Sequence, residues 1–319
     1  MKRILANDGI AADGKAALEA AGFEVVTEKI AQEDLPQKIG AFDVLIVRSA
    51  TKVNRQVLEN PGNLKLVVRA GVGIDNIDVE AAKANGVDVS NTPNSSSLSV
   101  AELVFAHIFS LARFLHESHR QMPEKGSSKF KDLKKVYEKG TELRGKTLGI
   151  VGGGRIGQET AKIGIGLGMN VLIFNRTPKI ISLKFDHLPF KPFPALDIKT
   201  TSLEEVLKNS DYVSLHVPHE TGKAALIGAN ELAMMKNTAG LINCARGGAV
   251  DEDALAYALN NKQIAYAGLD VFVNEPEPRD DLLKVPGLSL TPHIGASTAE
   301  AQDRVSLETA ALIIEKMNA

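Results

Sequence analysis

His293, Glu275 and Arg246 are the residues of this 319-residue chain best suited to chemistry. Each follows a strand-like apolar run. Arg246 comes three residues after Asn243, Glu275 lies in the loop after Asp270, and His293 follows Leu288–Leu290. In open α/β sheets the carboxyl ends of strands border the crevice where ligands gather. A histidine there can take or return a hydroxyl proton near working pH. A neighbouring carboxylate would fix its tautomer and favour the imidazolium. An arginine fork would hold an α-carboxylate through two bonds and polarise the adjacent carbonyl. That set suits hydride transfer between a secondary alcohol and a nicotinamide. Taken singly, a capping histidine, an exposed glutamate and a turn arginine explain the same residues equally well.

The partner this chemistry needs is encoded between Lys146 and Arg176. Thr147–Val151 reads as a buried strand and runs directly into Gly152-Gly153-Gly154-Arg155-Ile156-Gly157, a G-x-G-x-x-G match. A helical stretch over Glu159–Leu167 and a second strand over Val171–Phe174 follow. Gly152 permits a tight turn, Gly154 lets backbone approach a pyrophosphate, and Gly157 lets helix pack on strand. The phosphates then meet the helix N-terminus. In this context the motif predicts dinucleotide binding. The acidic residue expected about 20 positions on, for the ribose hydroxyls, is replaced by Asn175, followed by Arg176. Asparagine keeps one acceptor oxygen but has no charge to repel a 2′-phosphate, and Arg176 and Lys179 add positive charge. NAD use with tolerance of NADP is the expectation.

These residues need a scaffold. Strand-like runs at Ile4–Ala6, Phe23–Val26, Val44–Val47 and Leu66–Val68 alternate with helical pieces at Gly14–Ala21 and Val79–Ala84. Such alternation implies a parallel sheet covered on both faces. Arg48 and Arg69 follow two of these strands and suggest an anion site. Ser99-Val100-Ala101-Glu102 reads as a capping box opening a long, mostly apolar helix, in which His107 is expected to be a satisfied core histidine. Residues 124–146 carry eight Lys or Arg against four acids, a local charge of +4. This is either a solvated face or a funnel for an anionic substrate. Further strands are expected at Tyr212–His216, Gly240–Asn243, Ala265–Asp270 and Leu288–Leu290. Ser202, Asp251 and Ser297 are expected to cap helices, and Thr177–Lys199 reads as a loop.

The expected architecture is α/β, with two Rossmann-like, doubly wound parallel-sheet domains and an active-site cleft between them. Residues 1–98 plus 291–319 form a discontinuous, flavodoxin-like substrate domain. Residues 99–290 form the dinucleotide domain, including a linking helix over 99–121. A net charge of −2 argues against nucleic acid or an anionic membrane as partner. The sole cysteine, Cys244, suits a reducing cytoplasm, and no run approaches a membrane span of roughly 20 apolar residues.

In this order the motifs resemble the D-2-hydroxyacid dehydrogenase family, nearest its phosphoglycerate dehydrogenases. The resemblance rests on Arg48-Ser49-Ala50-Thr51-Lys52-Val53, Arg69-Ala70-Gly71-Val72-Gly73-Ile74-Asp75-Asn76, Asn91-Thr92-Pro93-Asn94, Gly140 through Gly157, Asn243–Asp251, Leu269–Phe272 and His293–Thr298. It implies Arg246, Glu275 and His293 as the catalytic set. It implies a cofactor site of Gly152, Gly154, Arg155, Ile156, Gly157, Asn175, Arg176, His216, Val217, Pro218, Thr221, Cys244, Ala245, Arg246, Asp270, His293, Gly295 and Ala296. Substrate contacts would come from Arg48, Ser49, Arg69, Val72, Gly73, Asn94, Arg246 and His293. No metal is implied. A homodimer oxidising D-3-phosphoglycerate, the first step of serine biosynthesis, is the implied function. Val72 and Val217 stand where close relatives often have hydroxyls. A glyoxylate or hydroxypyruvate reductase is the nearest rival reading, and a dinucleotide-sensing, corepressor-like binding protein is the other. The bare ends of the chain count against the latter.

Overall fold

The computed structural model describes residues 1–185, 191–192, 194–220 and 222–318. The chain divides into two compact units, Met1–Ser97 with Ala296 onward, and Leu98–Gly295.

The first unit holds five parallel strands: β1 (Arg3–Ala6), β2 (Glu24–Val26), β3 (Val44–Val47), β4 (Leu66–Arg69) and β5 (Asp88–Asn91). Their order is β2-β1-β3-β4-β5, the flavodoxin-like arrangement. Every residue of β3 is buried, because a central parallel strand is covered on both faces. On one face Ile4, Val44 and Val68 pack with Ile313 and Met317 of the C-terminal helix Ala299–Asn318. On the other, Leu5, Leu45 and Val67 pack with Leu35, Val57 and Ala81. Strand β5 has no apolar run to announce it. It forms at the sheet edge, paired with β4 alone.

The second unit has a six-stranded parallel sheet of β6 (Thr147–Val151), β7 (Asn170–Phe174), β10 (Tyr212–Leu215), β11 (Gly240–Asn243), β12 (Tyr266–Leu269) and β13 (Leu288–Leu290). Two further strands, β8 (Ile180–Lys184) and β9 (Ala195–Lys199), pair antiparallel as a separate ribbon. The main order is β13-β12-β11-β10-β6-β7. A single parallel bridge from Phe174 to Thr201 continues it beyond β7. This is the Rossmann order with one outer strand reduced to a bridge. The switch point falls between β6 and β10, where the chain leaves the sheet in opposite directions.

Several local expectations are corrected. The helix expected over 99–121 is two helices, Ser97–Ala112 and Leu115–Tyr137, bent by 58°. Phe114 breaks them with φ 54. Ser99 therefore lies inside the first helix, and its hydroxyl donates to the Gly295 carbonyl at 2.7 Å rather than capping. Much of the basic segment 124–139 is helical, with Gly126 and Leu133 as its buried positions. Of the loop expected over 177–199, Ile180–Lys184 and Ala195–Lys199 form the ribbon, and 186–190 and 193 lie outside the described residues. Ile181 and Leu183 alternate with exposed neighbours, a period of two that the surrounding prolines obscure. Ser202 caps through the Glu205 N–H at 3.1 Å, but the Glu205 carboxylate bonds the Thr201 hydroxyl instead of closing a capping box. Asp251 accepts from the N–H groups of Asp253 and Ala254 at 3.0 Å. The C-terminal helix is capped by Thr298, not Ser297. Among the described residues no single helix is long and apolar enough to cross a membrane.

Leu148 on β6 is fully buried among Val104, Phe105 and Ile173. Leu148→Ala should lower unfolding stability by about 2–5 kcal/mol, the lost burial plus the cavity left behind. Urea denaturation reads this directly; a loss well under 1 kcal/mol would show that the core closes around the gap.

Candidate active site

Strand β6 ends at the glycine loop. Gly152 has φ +107, and a Cβ there would lie 2.5 Å from the His216 carbonyl oxygen, so a side chain is excluded by both conformation and space. A Cβ on Gly157 would overlap the Gly152 carbonyl oxygen. That contact brings the helix Arg155–Gly166 tight against the loop. Gly154 precedes the helix with no side-chain cap and open space where its Cβ would stand. The first helical N–H groups thus have a dipole and room for an anion. Arg155 is exposed beside this end, and Ile156 is half-buried.

At the end of β7 the Asn175 side-chain oxygen accepts from the Gly153 N–H at 3.2 Å, and its amide donates to the Thr177 carbonyl at 3.1 Å. Asn175 therefore ties the glycine loop to the turn that carries the exposed Arg176. Across the switch point stands His216, half-buried beside Val217 and exposed Pro218. Desolvation lowers the His216 pKa to about 3. Its Nε2 lies 3.0 Å from the Ser214 hydroxyl, and its Nδ1 is buried with no partner. Thr221 lies outside the described residues.

The catalytic candidates come together in the second unit. His293 Nδ1 is 2.6 Å from Glu275 Oε2, and the other Glu275 oxygen accepts from the Phe272 N–H at 2.9 Å. A carboxylate only accepts, so Nδ1 carries the proton and Nε2 is left for a reacting group. The bond to Glu275 raises the His293 pKa against the opposing effect of desolvation. Burial works to raise Glu275, but the bonds to His293 and Phe272 and the Arg246 charge leave it lowered. The pair is poised to hold a proton on the ring. Arg246 is positioned by an Asn243 turn. Asn243 accepts from the Ala245 N–H at 3.1 Å and donates to the Arg246 carbonyl at 2.9 Å. Cys244 beside them is buried, and desolvation raises its pKa well above the ordinary thiol value, which suits a wall rather than a nucleophile.

His293 adopts a left-handed backbone, φ 54, which costs a non-glycine residue about 1–2 kcal/mol. The buried Asp270 carboxylate holds that loop by accepting from Ile294 and Gly295 N–H groups, each at 2.8 Å. This anchoring is why Thr291–Gly295, assigned from sequence to the substrate domain, belongs to the second unit. Asp270 also accepts from the Thr291 hydroxyl at 2.6 Å. Three of roughly four carboxylate acceptor sites are then used, and the one remaining on Oδ2 fits a carboxamide N–H.

The first unit carries the anion candidates. Asp8 accepts from the N–H groups of Arg48 and Thr51 at 2.6 and 3.0 Å, and Asn76 donates to the carbonyls of both residues at 2.7 Å. Exposed Ser49 lies within this pinned loop. Arg69 Nη1 donates to the Ala70 carbonyl at 2.7 Å, and Asn91 holds the exposed Val72 and neighbouring Gly73 through the Val72 carbonyl. The Asn94 amide donates to Glu308 at 2.7 Å, and Ser95 binds the same carboxylate. Ala296 accepts from the Gln302 amide at 2.7 Å. Asp8 and Glu308 had no sequence signal, and Asn76 was noticed only as part of a motif, since their partners lie far along the chain.

A glycine-lined dinucleotide crevice and a histidine–carboxylate pair with a nearby arginine define a Rossmann-type oxidoreductase. Residues 105–295 match the D-isomer specific 2-hydroxyacid dehydrogenase NAD-binding domain. The chain is 40% identical over 298 residues to the hydroxypyruvate reductase of Thermotoga maritima, covering 92% of this chain and 91% of that one. It is 40% identical over 303 residues to the D-3-phosphoglycerate dehydrogenase of Methanocaldococcus jannaschii, covering 95% of this chain but 55% of that protein. It thus spans about half the length of such relatives. Among solved structures, an acyclic imino acid reductase (Bsp5) in complex with NADPH and D-Arg superposes with TM-score 0.82 at 27% identity, over 99% of this chain and 97% of that one. The chain belongs to the D-isomer specific 2-hydroxyacid dehydrogenase family, and its second unit is the NAD-binding domain of that family.

Proposed function

We propose that the protein is an NAD-dependent dehydrogenase that oxidises D-3-phosphoglycerate at C2 to 3-phosphohydroxypyruvate and runs the reverse reduction. The observation that carries this reading is the 2.6 Å His293–Glu275 pair beside Arg246. NAD, when bound, would supply the hydride acceptor for C2. His293 Nε2 takes the hydroxyl proton in oxidation and returns it in reduction, while Glu275 holds Nδ1–H and stabilises the imidazolium. Arg246 grips the α-carboxylate and draws charge toward the carbonyl oxygen. The glycine loop and the Arg155–Gly166 helix would hold the pyrophosphate, and Asp270 would take the carboxamide.

Arg48 and Arg69 bind the substrate phosphate in this reading, supported by their positions after β3 and at the end of β4. Arg48→Gln or Arg69→Gln should raise KM for 3-phosphoglycerate at least tenfold more than for glyoxylate, which has no phosphate to lose. Equal losses on both substrates would remove the phosphate assignment. A second reading, reduction of unphosphorylated hydroxypyruvate, draws on the equal identity to the Thermotoga maritima reductase. Comparing kcat/KM for hydroxypyruvate and its 3-phosphate decides between the two.

NADP tolerance rests on Asn175. Asn175→Asp keeps the acceptor for Gly153, loses the donor to Thr177, and adds a charge facing a 2′-phosphate. It should lower kcat/KM with NADP by about 10- to 100-fold while changing NAD far less. If the native enzyme already rejects NADP as strongly as the variant, charge is not what selects the cofactor.

A further inference from the structure

His107 lies on the helix Ser97–Ala112, far in sequence from the site, yet it ends a continuous, partly buried chain of hydrogen bonds. Its Nδ1 is 2.9 Å from the Ser289 hydroxyl, and its Nε2 is 3.1 Å from the Thr291 hydroxyl. Thr291 donates to Asp270, and Asp270 accepts from the Ile294 and Gly295 N–H groups. The direction of every proton follows from the carboxylate end. Asp270 only accepts, so the Thr291 proton points toward it. The Thr291 oxygen must then accept from His107 Nε2–H, which leaves Nδ1 to accept from the Ser289 hydroxyl. His107 is thereby a single tautomer, and it is only 2% exposed. Burial keeps the ring neutral, with a pKa lowered to about 4. The fold makes room for it. A Cβ on Gly268 of β12 would stand 2.8 Å from the His107 Cβ and 2.9 Å from its Cγ.

We infer that His107 and Thr291 are positioning residues of the acid–base centre, orienting the Asp270 carboxylate that holds the His293 loop in its left-handed conformation. Both act through Asp270. A hydrogen-bond network with every proton direction fixed in this way leaves its members one arrangement. Without it, Asp270 loses the bond that sets its plane, and the Ile294–Gly295 backbone loses a fixed acceptor. His293 then samples other backbone states, and the reacting Nε2 leaves its productive position. A displacement near 1 Å at such a group costs on the order of 100-fold in rate.

The inference rests on the function proposed above, so its test has one arm that needs no substrate. In Thr291→Val the hydroxyl is lost at nearly constant volume. Hydrogen exchange should show the Ile294 and Gly295 amides exchanging at least tenfold faster, with the β6 and β11 amides unchanged. In the assay, kcat should fall about 10- to 100-fold, a larger change than in the Kd for NADH read by fluorescence, which reports the loss of the Asp270 contact alone. Thr291→Ser, which restores the hydroxyl, should recover both readouts. His107→Phe should match Thr291→Val, and the double variant should be no worse than either, because all three break one chain. Unchanged exchange at Ile294 and Gly295, normal turnover in a folded Thr291→Val, or equal losses in the serine and valine variants would each overturn it. A native protein inactive on every 2-oxo acid would instead defeat the proposed function and leave the exchange result standing.

Discussion

His293→Ala is expected to lower kcat by about 10²- to 10⁴-fold while leaving dinucleotide binding largely intact. The expectation comes from geometry, because the ring is fixed by a 2.6 Å bond at Nδ1 and presents only Nε2 to a substrate. Alanine leaves the glycine loop and the Arg155–Gly166 helix untouched, so the Kd for NADH should barely move. Near-normal turnover in this variant would remove histidine from the reaction. The pH dependence gives a second handle. Reduction needs the imidazolium, so its rate should fall as pH rises through the His293 pKa. Oxidation needs the neutral ring, so its rate should fall as pH drops through the same value. That value is raised above 6.5, chiefly by the bond to Glu275. Glu275→Gln removes the negative charge and leaves only a weaker, neutral acceptor for Nδ1–H. Both limbs should then move to lower pH, and limbs that stay in place would mean that Glu275 does not set the ring's ionisation.

Arg246→Lys carries the second large effect. The guanidinium sits on a turn fixed by Asn243, with Nη1 donating to the Ala245 carbonyl at 2.6 Å. The role proposed for it is a planar two-bond grip on a carboxylate, which a point ammonium cannot reproduce. Losing one charge-assisted bond at the substrate is worth about 1.5–3 kcal/mol, so kcat/KM should drop roughly 10- to 100-fold. Misorientation of the carbonyl adds to that loss in kcat. A lysine variant that keeps both KM and kcat would show that Arg246 is only a turn residue.

The candidate catalytic residues are legible because each sits next to a strand whose apolar run is unmistakable. Asn243, Asp270 and Leu288–Leu290 mark where Arg246, Glu275 and His293 must emerge, and strand ends of a parallel sheet share one edge. The glycine spacing is legible for a similar reason, since a positive φ at Gly152 and a close approach at Gly157 allow almost nothing else. Local pattern failed where the deciding partner is distant or masked. Strand β5 has no apolar run and exists because β4 offers it a ladder. The ribbon of β8 and β9 hides among prolines. Phe114 breaks a helix whose apolar pattern runs straight through it.

Sequence by itself determined the α/β plan and the dinucleotide-binding domain, and it singled out the His293–Glu275 pair proposed for acid–base chemistry. These rest on periodicity and on residues confined to narrow backbone geometry, both of which are properties of short stretches. Only the tertiary structure decided which side chains hold that pair in place. Asp270 joined to the His293 loop, Thr291 and His107 joined to Asp270, and Asp8 and Asn76 joined to the Arg48 loop are contacts between segments up to 184 residues apart. Hydrogen bonding over such separations follows from how helices and strands pack. No spacing in the chain encodes it.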